Sequence, residues 1–249
     1  MTMPLGHATG VAVPISEPPN PVVLTRAGCR RGAREILPLC TFVFVLAATF
    51  GVAARHAGLS ISLASLMSAA VFAGGAQFAA LGLLGPPPSI VPLLLGTLAI
   101  NARHLLLGAA LAPWLLQLPR WKRLCAVTVL SDANWAQAMR AHAAGERDAG
   151  VLVGGGITMW VTWVIGTATG AFASRAVPDV GRFGLDALLV GFFASALTGG
   201  WRGRQDAPAA IGAAIVTLVM VALGARDWSI LIGAVGGAAA GAWSDAHTR

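Results

Sequence analysis

The run ISLASLMSAAVFAGGAQFAALGLL, residues 61–84, lies within 46 consecutive positions, residues 57–102, that contain no Asp, Glu, Lys, Arg or His. The chain then reads LAINARHLLL at residues 98–107, so an Arg–His pair stands between apolar residues. An uncharged stretch of this length is typical of a chain in lipid, where a helical span takes about 20 residues. Because ionisable side chains are poorly solvated in hydrocarbon, Arg103 and His104 need partners or a hydrated space. The contrast predicts a membrane protein whose few intramembrane polar residues serve its function or fasten its helices.

The composition of the whole chain points to the same class. Of the 249 residues, 56% are hydrophobic and 11% are charged, and the mean hydropathy is +0.74. Globular chains carry about 25% charged residues. The apolar runs are continuous and do not alternate with a period of two, which argues against a β-barrel. We therefore predict an all-α, polytopic integral membrane protein embedded in a lipid bilayer.

The chain contains eight apolar segments. They are residues 36–54, 59–84, 92–118, 124–139, 149–174, 183–198, 207–225 and 228–243. Gly74-Gly75 interrupts the second segment, and because glycine relaxes a helix, we expect that segment to be broken and re-entrant. With that arrangement the basic residues outside the spans favour seven crossings slightly over eight.

The domain organisation follows from the ends of these segments. Residues 1–33 contain five prolines and no apolar core, which predicts a disordered tail, whereas residues 34–249 form a single transmembrane domain. Arg26, Arg30, Arg31 and Arg34 abut the first span, so the N-terminus is expected in the cytoplasm. The net charge of +7 is spread over short loops, which indicates membrane orientation and not nucleic-acid binding.

Several glycines share helix faces. Gly233, Gly237 and Gly241 are spaced by four, and the fifth segment holds the pairs Gly150/Gly154 and Gly166/Gly170. Such faces allow close helix approach. Packing within this chain is the favoured interpretation, and packing against a separate subunit is the alternative.

The third segment carries the group Asn101, Arg103 and His104. In a regular helix Asn101 and His104 face the same way, and Arg103 points about 100° from His104. The guanidinium of Arg103 offers a planar set of donors that fits a carboxylate, and His104 can change charge near neutral pH and relay a proton. The alternative is that Arg103 only pairs with Asp132 or Asp186 and locks the bundle.

Further polar residues lie in the other segments. Asp132, beside Ser131 and Asn134, sits in the middle of the fourth segment and must be paired, hydrated or protonated there. Asp186 lies near the start of the sixth segment, where a helix N-terminus would favour a carboxylate. Gln77 follows the break at Gly74-Gly75 and either completes a binding site or makes an interhelical hydrogen bond.

Signatures of enzymes and resident cofactors are missing from the sequence. There is no HExxH, no GxSxG and no phosphate loop, and the three cysteines show no metal or redox spacing. We therefore expect no cofactor, no metal and no catalytic activity.

Four short elements resemble the AzlC family, the large subunit of bacterial branched-chain amino acid exporters. Residues 72–78 look like that family's FAG-x-x-QF element and residues 101–104 like its N-x-R-H element. Ser131-Asp132 falls where the family usually has Thr-Asp-Glu, and residues 184–186 resemble another recurring element. Together they cover roughly residues 34–249. One departure is Ala133, which stands where the family has an acidic residue.

This resemblance implies a secondary transporter subunit in the bacterial inner membrane. It would export branched-chain or other hydrophobic amino acids, with proton coupling and a small AzlD-type membrane subunit as partner. In the leading hypothesis Arg103 binds the substrate carboxylate, and Asp132 neutralises the ammonium group or carries a proton with His104. Gln77, Gly74 and Gly75 would shape the site.

Two hypotheses from other classes remain open. An intramembrane enzyme could use His104 and Asp132 for acid–base chemistry, and it would alter its substrate chemically. A scaffold without transport activity would use its polar residues only to fasten helices, so their mutation would abolish folding.

Overall fold

A computed structural model describes residues 21–84, 87–176, 194, 201 and 203–247. The helices in these residues are α1 (Arg26–His56), α2 (Ile61–Val71), α3 (Gly74–Leu81), α4 (Ile90–Asn101), α5 (Arg103–Leu115), α6 (Arg120–Thr128), α7 (Asp132–Ala143), α8 (Gly150–Ala173), α9 (Ala207–Ala222) and α10 (Arg226–His247). Within the described ranges there is no strand beyond an isolated bridge between Val23 and Asp148. The prediction of an all-α membrane protein is confirmed. Four stretches of the described chain are apolar and long enough to cross a membrane: Arg26–His56, Ile90–Leu115, Gly150–Ala176 and Arg204–Ala222.

Helices α1 and α8 form the centre of the bundle and run parallel. A Cβ atom on Gly154 would lie 1.9 Å from the Cys29 carbonyl oxygen, near the start of both helices. A Cβ atom on Gly170 would lie 1.9 Å from the Ala48 carbonyl oxygen, near the ends of both helices. The backbones are therefore in direct contact along their length. We call the side on which α1 and α8 begin the proximal side, and the side on which they end the distal side.

These glycine contacts confirm the interpretation that the glycine faces pack within the chain. On α10, a Cβ atom at Gly237 would lie 2.7 Å from the Cβ of Ala213 on α9. Only glycine permits helices to approach this closely, because any side chain would have to displace the neighbouring helix.

The start of α1 corrects one expectation. Residues 26–33 were expected in a disordered tail, but they are helical. The side chain of Thr25 caps the helix by accepting a 3.0 Å hydrogen bond from the Gly28 N–H. Gly32 also packs against the α8 backbone, so this first part of α1 is fixed by tertiary contact. Residues 1–20 lie outside the described part of the chain.

The carboxylate of Asp148 ties the proximal ends of α1 and α8 together. It accepts hydrogen bonds from the Thr25 hydroxyl, from the Thr25 N–H at 3.0 Å and from the Gly150 N–H at 2.9 Å. Burial raises the pKa of Asp148, but these hydrogen bonds outweigh it and hold the pKa below its ordinary value. Nearby, Arg31 pairs with Glu146. The Asp148 and Arg147 N–H groups donate hydrogen bonds to the Glu146 carboxylate, and these bonds, together with the Arg31 side chain, lower the pKa of Glu146.

The second apolar segment is broken, but not at the glycines. Phe72 adopts a left-handed conformation, φ 45° and ψ 40°, and ends α2, whereas Gly74 already belongs to α3. The α3 helix turns back beside α2, as the 3.1 Å distance between Gln77 Nε2 and Ser68 Oγ shows. In one continuous helix these two residues would stand about 13 Å apart along the axis. The segment thus folds back towards the distal side.

The fourth apolar segment is also broken, which the sequence analysis did not foresee. The α6 helix ends at Thr128 and α7 begins at Asp132. Asn134 Nδ2 donates across the break to the Val129 carbonyl oxygen at 2.9 Å. Further along α7, Gln137 Nε2 donates to the Gly32 carbonyl oxygen at 2.9 Å. Because Gly32 lies near the start of α1, α7 leads back to the proximal side.

The parallel packing of α1 and α8 bears on the number of crossings. Two parallel spans must be separated by an odd number of crossings. If only the second segment folded back, the third and fourth would both cross, and α1 and α8 would be antiparallel. The arrangement with the second segment alone re-entrant, from which seven crossings were slightly preferred, is therefore not compatible with this packing. With both segments folded back, α4 and α5 supply the single crossing between α1 and α8.

The two folded-back segments occupy equivalent positions in a repeated pattern. Helices α3 and α7 begin at residues 74 and 132, which are 58 positions apart. Helices α2 and α6 begin at residues 61 and 120, and α1 and α5 end at residues 56 and 115, so both pairs are 59 apart. One hairpin enters from the distal side and the other from the proximal side. The arrangement matches the inverted repeats from which many membrane transport folds are built.

Candidate functional site

The two helix breaks meet at one cavity of about 180 Å³. Its walls come from the middle of α1, the α2–α3 break, the start of α5, the α6–α7 break and the middle of α8. The lining residues are Leu39, Phe42, Val43, Leu46, Phe72, Ala73, Gly74, Gly75, Arg103, His104, Ser131, Asp132, Ala133, Met159 and Trp163. Five of the nine residues proposed from sequence, Gly74, Gly75, Arg103, His104 and Asp132, thus line a common space.

An ion pair stands in this cavity. Arg103 Nη2 lies 3.0 Å from Asp132 Oδ2. The side chains keep 38% and 54% of their accessible surface, so neither charge is sealed inside the bundle. Asp132 is the first residue of α7, where the helix dipole favours a carboxylate. The Nε of Arg103 is buried without a hydrogen-bond partner, so the guanidinium keeps donor capacity beyond this pair.

A local irregularity brings Arg103 and His104 to the same cavity. The helix is interrupted at Ala102, and the Leu105 N–H bonds to the Ala102 carbonyl oxygen three residues back, at 3.0 Å. His104 Nδ1 lies 3.2 Å from the Asn101 carbonyl oxygen. With the proton on Nδ1, the ring donates to that oxygen and leaves Nε2 as an acceptor.

Asn101 does not line the cavity, although a regular helix would have placed it on the face of His104. Its side-chain oxygen is buried without a hydrogen-bond partner. Its carbonyl oxygen serves the site indirectly, because it is the group that faces the His104 ring.

Gln77 takes the second of its two predicted roles, an interhelical hydrogen bond. Its side chain is fully buried; Nε2 donates to Ser68 Oγ at 3.1 Å and Oε1 accepts from Trp163 Nε1 at 2.9 Å. Ser68 Oγ also lies 2.8 Å from Thr167 Oγ1. We call Ser68, Gln77, Trp163 and Thr167 the distal network. Gln77 is not in the cavity lining, but it holds Trp163, which is.

Asn134 is likewise a supporting residue. It is fully buried and does not line the cavity. Its Oδ1 accepts from the Ser131 N–H at 2.6 Å and from the Ser131 hydroxyl at 2.9 Å, and its Nδ2 donates to the Leu152 carbonyl oxygen at 3.0 Å. These bonds cap α7 and attach its start to α8, so they position the neighbouring Asp132.

One predicted site residue, Asp186, lies outside the described residues, together with residues 184 and 185. Met159 and Trp163 of α8 were not singled out from sequence, because nothing in an uncharged span distinguishes residues that face a cavity from those that face lipid. The position of Trp163 depends on Gly74, since a Cβ there would lie 2.7 Å from the ring carbon Cη2.

The fold and the site together define a helical membrane protein with an ion pair in a cavity between two opposed broken segments. The model of the family described as AzlC protein matches residues 38–177, more than half of the chain. The chain therefore belongs to the AzlC family, as its motifs suggested.

A curated relative supports the same assignment. The chain is similar to the inner membrane protein YgaZ of Escherichia coli K12, with 28% identity over 149 residues. The match covers 59% of this chain and 61% of the relative, so it spans about three fifths of that protein's length. No solved structure matches the chain.

Proposed function

We propose that this chain is the large subunit of a secondary transporter that exports branched-chain or other hydrophobic amino acids. The observation that carries the proposal is the Arg103–Asp132 ion pair, 3.0 Å apart, in a cavity with mostly apolar walls. An amino acid has one cationic group, one anionic group and an apolar side chain. The cavity offers the complement of all three. Its volume of about 180 Å³ is small beside the roughly 300–1,000 Å³ of drug-sized sites, which suits a ligand of few atoms.

The binding mode follows from the charges. The substrate carboxylate takes the place of Asp132 on the Arg103 guanidinium, and its ammonium group takes the place of Arg103 at Asp132. Leu46, Phe72 and Met159 offer apolar surface to the side chain. In the empty protein Arg103 and Asp132 neutralise each other, so the unloaded carrier does not expose an isolated charge to the membrane interior.

Proton coupling would use the two titratable groups of the cavity. Asp132 and His104 both line it, and each places a proton-accepting atom beside the substrate. A proton moving inwards would thus be exchanged for a substrate moving outwards.

The basic residues support an orientation with the proximal side in the cytoplasm. Along helices α1–α8 and their connections, nine lie towards the proximal side: Arg26, Arg30, Arg31, Arg34, Arg120, Lys122, Arg123, Arg140 and Arg147. Arg55 and Arg175 lie towards the distal side. The positive-inside rule then assigns the N-terminus to the cytoplasm.

The proposed partner is a small multi-span membrane subunit of the AzlD type. Helices α4 and α9 present many exposed apolar side chains, such as Leu94, Leu98 and Leu218. These surfaces are compatible with a second subunit as well as with lipid. Efflux measured with and without a co-expressed partner chain tests whether it is required.

The test of the function is valine efflux from proteoliposomes that contain the protein with its partner. Arg103→Lys keeps the charge but loses the planar fork, and Asp132→Asn loses the charge, so we expect each to reduce efflux by at least about tenfold. Mass analysis of both compartments must recover unaltered valine, because a changed product would indicate the enzyme hypothesis. Wild-type efflux by both variants would contradict the proposed roles. Loss of the folded protein in both would favour the scaffold.

A further inference from the structure

A second and larger cavity lies on the proximal side. It has a volume of about 620 Å³ and opens between α1, α7 and the turn that follows α7. Its charged lining residues are Arg31, Glu35, Arg140 and Glu146. We call it the proximal cleft.

The proximal cleft and the cavity at the helix breaks share two residues. Leu39 of α1 and Ala133 of α7 line both spaces. Ala133 directly follows Asp132, so the wall that separates the cleft from the ion pair has a methyl group at this point. A larger side chain there would narrow the passage between the two spaces. We call Leu39 and Ala133 the neck.

The opposite side of the cavity is closed by packed side chains. Phe50, Gln77 and Thr167 have no accessible surface, and they lie between the cavity and the distal ends of α1 and α8. The ring of Phe50 packs edge-on against Phe78 at 5.2 Å and stacks on Trp163 at 6.3 Å. Access to Arg103 and Asp132 is therefore easier from the proximal side than from the distal side.

The charges of the cleft fit a zwitterion. It has two cationic and two anionic side chains. Arg31 pairs with Glu146, and its Nε lies 3.6 Å from Glu35 Oε1. Glu35 Oε2 also accepts a 3.1 Å hydrogen bond from Gln137 Nε2. Among the described residues no carboxylate lies within ion-pair distance of Arg140. Because the four charges sum to zero, the cleft repels neither end of a zwitterion, and the unpaired Arg140 guanidinium offers a site for its carboxylate.

We infer that the proximal cleft is the entry vestibule for a small zwitterionic amino acid, which reaches the Arg103–Asp132 pair through the neck at Leu39 and Ala133. Arg140 meets the incoming carboxylate and Glu35 the ammonium group. The small side chain at position 133 controls the rate of passage. This inference rests on the proposed function for the nature of the ligand, but the route itself can be measured without transport.

The test is cysteine labelling with a membrane-impermeant cationic methanethiosulfonate. The background protein carries Cys29→Ser and Cys125→Ser and retains Cys40, which is buried. Three single variants are made in it: Ala141→Cys, which lies only in the cleft, Ala133→Cys, which borders both spaces, and Ala73→Cys, which lies only in the inner cavity. Each variant is labelled from either side in oriented membrane vesicles, with and without L-valine.

The expected result is a labelling rate that decreases with depth from the proximal side. From the proximal side the labelling rate should fall from Ala141→Cys to Ala133→Cys to Ala73→Cys, and each variant should label at least about tenfold faster than from the distal side. Adding Leu39→Trp should slow the labelling of Ala73→Cys at least about fivefold and leave that of Ala141→Cys unchanged. L-valine should protect the thiols at positions 133 and 73. Arg140→Gln should raise the KM for efflux more than it lowers kcat.

Two results would overturn the inference. One is faster labelling of Ala73→Cys from the distal side, and the other is labelling of that variant at a rate that Leu39→Trp does not slow. Normal valine efflux with either result would leave the transport proposal standing and reject only the vestibule. The expected gradient without valine protection or efflux would establish the passage but reject the amino acid as its ligand.

Discussion

The α2–α3 and α6–α7 hairpins have the same construction but opposite surroundings. Each is two short helices that fold back at a break beside the cavity, with starts 58 or 59 residues apart. The α2–α3 hairpin is held by the distal network, in which Ser68 and Gln77 have no accessible surface. The α6–α7 hairpin borders the open proximal cleft, and Asp132 at its break is 54% exposed.

The same repeated hairpin therefore closes one side of the cavity and borders an open cleft on the other. The α2–α3 hairpin fills its surroundings with paired polar groups and aromatic rings, so it closes the distal side. The α6–α7 hairpin is fastened mainly at its break by Asn134, while its outer face lines the cleft. A carrier that exposes its site to one side at a time requires such an asymmetry between otherwise equivalent halves. The following changes should disturb the two hairpins to different degrees.

The largest effect is expected from Gln77→Leu in the distal network. The substitution leaves the buried Trp163 N–H without its acceptor and removes the bond to Ser68. We expect a loss of about 2–4 kcal/mol in the free energy of unfolding. Thermal unfolding in detergent measures it. Gln117→Leu is the matched control, because Gln117 is exposed and bonds only to the Pro113 carbonyl oxygen; an equal loss there would contradict the role of the network.

Gly74→Ala tests the contact between the α2–α3 break and α8. The new methyl group would lie 2.7 Å from Trp163 Cη2, so the indole must move away from both the cavity and Gln77. We expect the free energy of unfolding to fall by about 1–3 kcal/mol. The affinity for valine, measured by isothermal titration, should also be weaker. Gly108→Ala has open space around its new methyl group and should not lower stability. The interpretation fails if Gly74→Ala is as stable and binds as tightly as the wild type.

Asn134→Ala tests the fastening of the α6–α7 hairpin. It removes the cap of α7 and the bond to the Leu152 carbonyl oxygen, at a cost of about 1–2 kcal/mol. Because Asp132 is then less well positioned, efflux should fall more than stability does. Asn134→Asp keeps the capping oxygen, so its efflux and its stability should lie between those of Asn134→Ala and the wild type. Full activity in Asn134→Ala would show that the cap does not position Asp132.

The smallest effect concerns the proximal ends of α1 and α8. The pKa values of Asp148 and Glu146 are lowered in the folded protein, so their ionised forms stabilise it. That contribution is complete above the ordinary carboxyl pKa of about 4 and is lost as the pH falls through the lowered folded values. We expect about 1 kcal/mol, or about 2–4 °C in Tm, to disappear between about pH 5 and the acid limit. Asp148→Asn should show a smaller decrease over this range, and an unchanged pH profile would contradict the assignment.

The position of the helix breaks shows how far prediction from sequence reached. The glycines predicted a break in the second segment, yet the chain turns at Phe72, two residues earlier, and Gly74 instead lies against Trp163. The break in the fourth segment contains no glycine. The local signal is Ser131 followed three residues later by Asn134, which is a helix-capping pattern. It was overlooked because it stands in an otherwise apolar segment.

The polar residues show a similar division. Arg103, His104 and Asp132 were predicted to serve one cavity, and they line it, since a charge in lipid-length sequence must find a partner or water. Gln77 and Asn134 carry no charge, and an amide satisfies equally well a ligand, a neighbouring helix or a helix end. Which of these it does depends on the distances to groups far along the chain.

The sequence by itself determined that this chain is a helical membrane protein of the AzlC family with an arginine and an aspartate inside its apolar bundle. The free energy of transferring a segment from water to hydrocarbon depends on its composition and length, which are local properties. Only the tertiary structure decided that α1 and α8 run parallel, that two segments fold back from opposite sides, and that Ala133 lines both the proximal cleft and the cavity with the ion pair. Those features arise from backbone contacts between residues far apart along the chain, and a glycine pattern states that helices approach closely but not which helices or in which direction.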